Sequence, residues 1–152
     1  MSRPGARRQV AHPDARGILD TNTVILLDRL TDPLALPEHP LITAITLAEL
    51  SVGPLVTDDP RERAARQAHL QLAESSFRPL PFDAAAARRF GGVAASLRQA
   101  GRKPAARAYD ALIAAVALAN ELPLYTVNPG DFQGIDGLTV RSVPHPGAPD
   151  PA

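Results

Sequence analysis

The chain reads as an α/β domain with a central, mostly parallel sheet of four to five strands, covered by helices on both faces. Two observations predict this. Short apolar runs without polar alternation, Gly17-Ile18-Leu19, Leu41-Ile42-Thr43-Ala44 and Leu124-Tyr125-Thr126-Val127, suit strands buried on both sides. Helical segments separate these runs, the pattern of a parallel sheet joined by crossovers.

Taken in order, Gly17 to Asp20 is a strand that ends on a carboxylate. Thr21, Asn22 and Thr23 offer capping oxygens to a helix through Val24-Ile25-Leu26-Leu27. The Pro-rich stretch from Asp32 to Pro40 breaks that helix. A second strand, Leu41 to Ala44, leads into a helix around Leu47-Ala48-Glu49-Leu50, which Gly53-Pro54 ends. Asp58, Asp59 and Pro60 open a third helix running toward Ser75, with Ala65, Ala68 and Leu72 expected as its apolar face. Arg78 to Phe82 is a short strand or extended link.

Asp83 caps the next helix, where Phe90, Val93, Ala94 and Leu97 fall at helical spacing, and Gly101 stops it. After the basic loop Gly101-Arg102-Lys103-Pro104 comes Tyr109 to Glu121, a helix apolar on almost every side and so expected to be central. A strand at Leu124 to Val127, a turn at Asn128-Pro129-Gly130-Asp131 and a closing strand from Leu138 to Val143 complete the domain. Residues 1–16 are expected to be a flexible basic tail and residues 144–152 a disordered Pro-rich one.

Composition removes whole classes of chemistry. The 152 residues suit one domain, and 45% apolar content is enough for a core without staples. Cysteine is absent, which excludes disulfides, thiolate metal sites and cysteine nucleophiles and suggests a cytoplasmic protein. Apolar stretches such as Ala111 to Ala119 fall far short of the roughly 20 residues that cross a bilayer. Sixteen basic and sixteen acidic residues cancel, so net charge neither favours nor forbids a nucleic-acid partner. Lys103 is the only lysine. The four histidines share no metal-ligand spacing, and the serines lie in no nucleophile-elbow pattern.

Four acids stand out because their neighbours are apolar. Asp20 ends an apolar strand, Glu49 interrupts an apolar helix, Asp110 starts the most apolar helix of the chain, and Asp131 follows a strand-end turn beside Phe132. Singly, each has an ordinary explanation as a cap, a first-turn acid, an arginine partner or a turn residue. Together they lie near the carboxyl ends of the strands, where the crevice of an open parallel sheet forms. Buried ionised carboxylates cost several kcal/mol unless they protonate, find arginines or gather around a cation. With Thr21, Asn22, Thr126 and Asn128 nearby they form an all-oxygen environment suited to Mg²⁺ or Mn²⁺.

These motifs resemble those of PIN-domain ribonucleases, particularly the VapC toxins of bacterial toxin–antitoxin pairs. The signatures are Ile18-Leu19-Asp20-Thr21-Asn22, Ala48-Glu49-Leu50, Tyr109-Asp110-Ala111-Leu112-Ile113-Ala114-Ala115 and Thr126-Val127-Asn128-Pro129-Gly130-Asp131-Phe132, in the family's order. The resemblance runs from about Gly17 to about Val143 and implies a PIN-like α/β/α sandwich over residues 17–143. It maps Asp20, Glu49 and Asp110 onto the family's three core acids, Asp131 onto its more variable fourth, and Asn128 onto a supporting polar residue. It implies a Mg²⁺- or Mn²⁺-dependent endoribonuclease, a structured RNA such as tRNA or rRNA as substrate, a homodimer, and inhibition by a VapB-like antitoxin. Family members usually begin almost directly with the first strand, so residues before Gly17 depart from the pattern.

Acids repel RNA phosphates, and Arg102, Lys103 and Arg107, just ahead of Asp110, are the expected phosphate contacts. Two other readings compete. A non-catalytic PIN-like scaffold binding RNA or protein would use the same fold, although degenerate relatives lose core acids that this chain keeps. Asp20-Thr21-Asn22-Thr23 partly resembles the aspartyl-phosphate loop of haloacid-dehalogenase-like phosphatases, with Lys103 as partner, but that loop carries Asp where Asn22 stands and Gly next.

Overall fold

The computed structural model describes residues 14–147. Four parallel strands form one sheet: β1 (Arg16–Leu19), β2 (His39–Leu41), β3 (Leu124–Thr126) and β4 (Val140–Ser142), in the order β2-β1-β3-β4. Ile18 stands opposite Leu41 on one side and Leu124 on the other, and Leu124 opposite Val140. The helices are α1 (Thr21–Ile25), α2 (Ala44–Val52), α3 (Pro60–Ser76), α4 (Ala84–Gln99) and α5 (Ala108–Ala119). Among the described residues no helix is long and apolar enough to cross a membrane.

Successive strand residues face opposite sides of a sheet, and here each side is apolar. Ile18 and Leu124 enter a core with Val93 and Leu97 of α4 and the Ile113–Ala117 stretch of α5. Leu19 and Tyr125 enter a second core with Val24, Leu50 and Ala73 of α1, α2 and α3. That two-sided burial explains why the strands read as unbroken apolar runs, and it produces the expected three-layer sandwich. Gly17 is required where it stands, because a Cβ there would come within 2.6 Å of the Tyr125 ring.

Several elements differ from expectation. The second strand lies earlier than Leu41 to Ala44, at His39–Leu41, and Pro40 is tolerated because β2 is an edge strand. Thr43 instead caps α2, accepting from the Thr46 N–H. The Arg78–Phe82 segment is an extended link that forms a parallel bridge between Leu80 and Thr43 and packs Leu80 and Phe82 against the core. The apolar face assigned to α3 was rotated: Ala65, Ala68 and Leu72 are exposed, while Ala73 is buried with Leu70 packed beside it. With a low mean hydropathy this helix gives no clear stripe, and the neighbouring elements decide which side is covered.

The ordered fold also begins before Gly17. Asp14 Oδ2 accepts hydrogen bonds from Tyr125 Oη at 2.7 Å and Arg141 Nε at 2.9 Å, tying the start of β1 to β3 and β4. Of the tails expected at 1–16 and 144–152, residues 1–13 and 148–152 lie outside the described residues.

Candidate metal centre

The connection after β1 runs to β2 on one side of the sheet and the connection after β3 runs to β4 on the other, so the two diverge between neighbouring strands β1 and β3, where a crevice opens at the strand ends. Asp20, the residue after β1, sits there as the N-cap of α1 and is 2% exposed. Its Oδ1 accepts from the Thr23 backbone N–H at 3.2 Å and from the Thr23 hydroxyl, and its Oδ2 accepts from the Thr126 hydroxyl at 2.7 Å.

Both hydroxyls are themselves oriented by the backbone. Thr23 Oγ1 accepts from the Val127 N–H at 3.1 Å, and Thr126 Oγ1 from the Asn128 N–H at 2.9 Å. A hydroxyl has one proton to give, and each gives it to Asp20. Burial nevertheless dominates and raises the Asp20 pKa, with the Thr23 and Thr126 hydrogen bonds opposing it and Asp131 adding to it. The cap reading of Asp20 is therefore correct and incomplete, since the same carboxylate also bridges β1 to β3.

Glu49 reaches the crevice from α2. Its Oε1 accepts from the Thr21 hydroxyl at 2.6 Å, and Thr21 Oγ1 lies 2.9 Å from Thr46 Oγ1. Burial raises its pKa, Thr21 lowers it, and the charge of Asp20 raises it further. Asp110 arrives from the first turn of α5. Among the described residues nothing donates a hydrogen bond to its carboxylate, and its pKa is pushed up to about 6, first by burial and then by the charges of Asp131, Asp20 and Glu49. Asp131 comes from the 3₁₀ turn Pro129–Phe132 after β3.

The four sequence-predicted acids thus come from four separate elements, near enough that the charges of Asp131, Asp20 and Glu49 all act on Asp110. Among the described residues no three acidic or histidine groups are already gathered at ligand separations. The donor set is entirely oxygen and carries excess negative charge, which fits Mg²⁺ or Mn²⁺, and Mg²⁺ in particular keeps several waters and needs only one or two direct carboxylates.

The supporting residues divide. Thr21 and Thr126 bond directly to the acids. Asn128 contributes its backbone, whose N–H meets Thr126 and whose carbonyl accepts from the Asp131 N–H at 3.0 Å. Asn22 is exposed and lines a cleft of about 390 Å³ with Thr21, Glu49, Arg66 and His69. Of two further supporting hydroxyls, Thr23 was read from the sequence only as a capping residue and Thr46 was not singled out; the signal there is a threonine three residues from an acid, one helical turn away.

The three basic residues ahead of Asp110 are placed less simply. Arg102 Nη1 donates to the carbonyls of Gly130 and Gln133, each at 2.8 Å, and Arg107 Nη1 donates to Asp131 Oδ1 at 2.7 Å. Both thus hold the turn that carries Asp131, while Lys103 is exposed.

Comparison with known proteins places the fold in a family. Residues 18–138 match the family described as PIN domain. The chain is 37% identical over 125 residues to "Ribonuclease VapC5" of Mycobacterium tuberculosis, covering 81% of this chain and 90% of that protein. It is 29% identical to "Ribonuclease VapC" of Rickettsia bellii over 84% of this chain and 96% of that one. Among solved structures it is similar to a member of the VapBC family of toxin–antitoxin systems, VapBC-5 from Mycobacterium tuberculosis, with a TM-score of 0.71, 36% identity, and coverage of 85% of this chain and 98% of that chain.

Proposed function

The chain belongs to the PIN-domain family, and from that premise we propose that it is an endoribonuclease, the toxin of a toxin–antitoxin pair. The observation that supports the reading is Asp110, which has no hydrogen-bond donor among the described residues and whose pKa is raised first by burial and then by the charges of Asp131, Asp20 and Glu49. A fold with no use for these charges would pair them or replace them, because each costs stability.

Asp20, Glu49 and Asp110 are the residues that would hold a divalent ion, with Asp131 beside them. When bound, Mg²⁺ or Mn²⁺ supplies positive charge at the phosphoryl oxygens and the leaving 3′ oxygen and activates water as a nucleophile. The chain's own groups prepare that chemistry. Thr23 and Thr126 keep Asp20 oriented and favour its ionised form. Thr21 does the same for Glu49. Lys103 and the remaining N–H donors of Arg107 lie on the segment that leads into Asp110 and are the proposed phosphate contacts.

The substrate is a structured RNA such as tRNA or rRNA, the silencing partner a VapB-like antitoxin, the active form a homodimer, and the compartment the cytoplasm. Named VapC and VapBC relatives support the toxin role and the antitoxin partner.

The experiment is incubation of antitoxin-free protein with total RNA in Mg²⁺ or Mn²⁺, beside EDTA and Asp20→Asn controls. Discrete fragments that vanish in both controls are expected. Intact RNA from a folded, antitoxin-free chain would move the reading to a non-catalytic RNA- or protein-binding scaffold.

A further inference from the structure

The charges of Asp131, Asp20 and Glu49 all act on Asp110, and one cation, Arg107, stands among them. Arg107 immediately precedes α5, one turn ahead of Asp110, and its Nη1 holds Asp131 Oδ1 at 2.7 Å. This is no loose surface pair, since each side chain is only 33% exposed. The turn carrying Asp131 is also pinned independently from the same connection, by Arg102 on the carbonyls of Gly130 and Gln133. Gly134 lets that contact close: it has φ +90°, and a Cβ there would stand 2.8 Å from the Cβ of Ala100. Two arginines thus fix where Asp131 sits, and one of them neutralises it.

We infer that Arg107 takes the place of a second metal ion at Asp131, leaving Asp20, Glu49 and Asp110 as the acids of a single-ion centre. This rests on the metal-dependent ribonuclease reading for the site's purpose, but not for its count of ions. The other three acids differ in kind from Asp131. Asp20 and Glu49 are bonded only to neutral hydroxyl and amide donors, and Asp110 has no donor among the described residues. Those donors orient a carboxylate without cancelling its charge, and Arg107 acts on Asp110 only through space, as the smallest of the influences on its pKa, so these three still offer their charge to a divalent ion. Asp131 does not. A second ion there would have to displace a guanidinium held by a charge-assisted hydrogen bond and would bring two positive charges beside it. In two-metal hydrolases the second cation stabilises charge on the far side of the phosphate. A guanidinium with N–H donors to spare delivers the same kind of charge and adds a directional hydrogen bond. Arg107 is therefore a positioning residue for Asp131 and the fixed cation of the site.

The test counts Mn²⁺ bound per full-length chain, by electron paramagnetic resonance of free Mn²⁺ and by calorimetry. Wild type is expected to hold one ion, Arg107→Gln two, and Arg107→Gln with Asp131→Asn one again. Two ions of comparable affinity in the wild type, or one in Arg107→Gln, would overturn the inference. Should Arg107→Gln fail to fold, the wild-type count decides. RNA cleavage does not enter these counts: a chain that cuts nothing yet shows the one-two-one pattern loses the ribonuclease reading and keeps this one.

Discussion

Replacing Asp110 by Asn removes a charge without changing shape, and the fold without metal is expected to gain stability while the site loses its ion. Raising a carboxyl pKa from 3.8 to about 6 weighs against the ionised fold by about 3 kcal/mol at 1.36 kcal/mol per tenfold. Water on the open side of the crevice screens that to about 1–2 kcal/mol. The charge also interacts favourably with the α5 dipole by about 0.3–1 kcal/mol, which the Asn variant forfeits. The net gain is about 1 kcal/mol, or roughly 2–4 °C in melting temperature for a chain of this size. Because the folded pKa lies above the unfolded one, the folded chain binds the proton more tightly. The penalty is present above pH about 6 and gone below pH about 4. Thermal melts in EDTA at pH 7.5 and pH 4 read this directly: the variant melts higher at the first and level with wild type at the second. Added Mn²⁺ at a hundred times its dissociation constant stabilises wild type by about 2.7 kcal/mol and the variant hardly at all. A variant that melts lower at pH 7.5 in EDTA, or gains equally from Mn²⁺, would refute the reasoning.

Burial raises the pKa of Asp20, Glu49 and Asp110 alike, so protons compete with metal and Mn²⁺ affinity is expected to fall as pH drops through about 6, seen by calorimetry at pH 5.5 and 7.5. Thr126→Val removes a buried hydroxyl that both donates to Asp20 and accepts from Asn128; stability should fall by about 1–3 kcal/mol in urea titration, with weaker Mn²⁺ binding. Gly17→Ala drives a methyl into the Tyr125 ring and should cost about 1–3 kcal/mol in the same titration. Tyr125→Phe removes the hydroxyl from Asp14 but leaves Arg141 in place, so a loss of only about 1 kcal/mol is expected.

The acids were legible because an ionised group in an apolar run conflicts with its neighbours, and that conflict is visible residue by residue at Asp20, Glu49 and Asp110. The central helix α5 was legible for the related reason that its all-round apolarity admits only one environment. The covered face of α3 was not legible, because Ala65, Ala68 and Ala73 are the same side chain, as are Leu70 and Leu72, and the packing of neighbouring elements selects among them. Arg102 and Arg107 were visible as charges near the site, but their partners are not: Gly130, Asp131 and Gln133 lie 24 to 31 residues away.

By itself, then, the sequence determined the class of fold and singled out four acids in apolar surroundings, since both follow from local polarity and spacing. Only the tertiary structure decided which side of each helix is buried, that Thr23 and Thr126 orient Asp20 across two strands, and that Arg107 neutralises Asp131. These are contacts between elements distant in the chain. Their free energy depends on distances that local patterning does not encode.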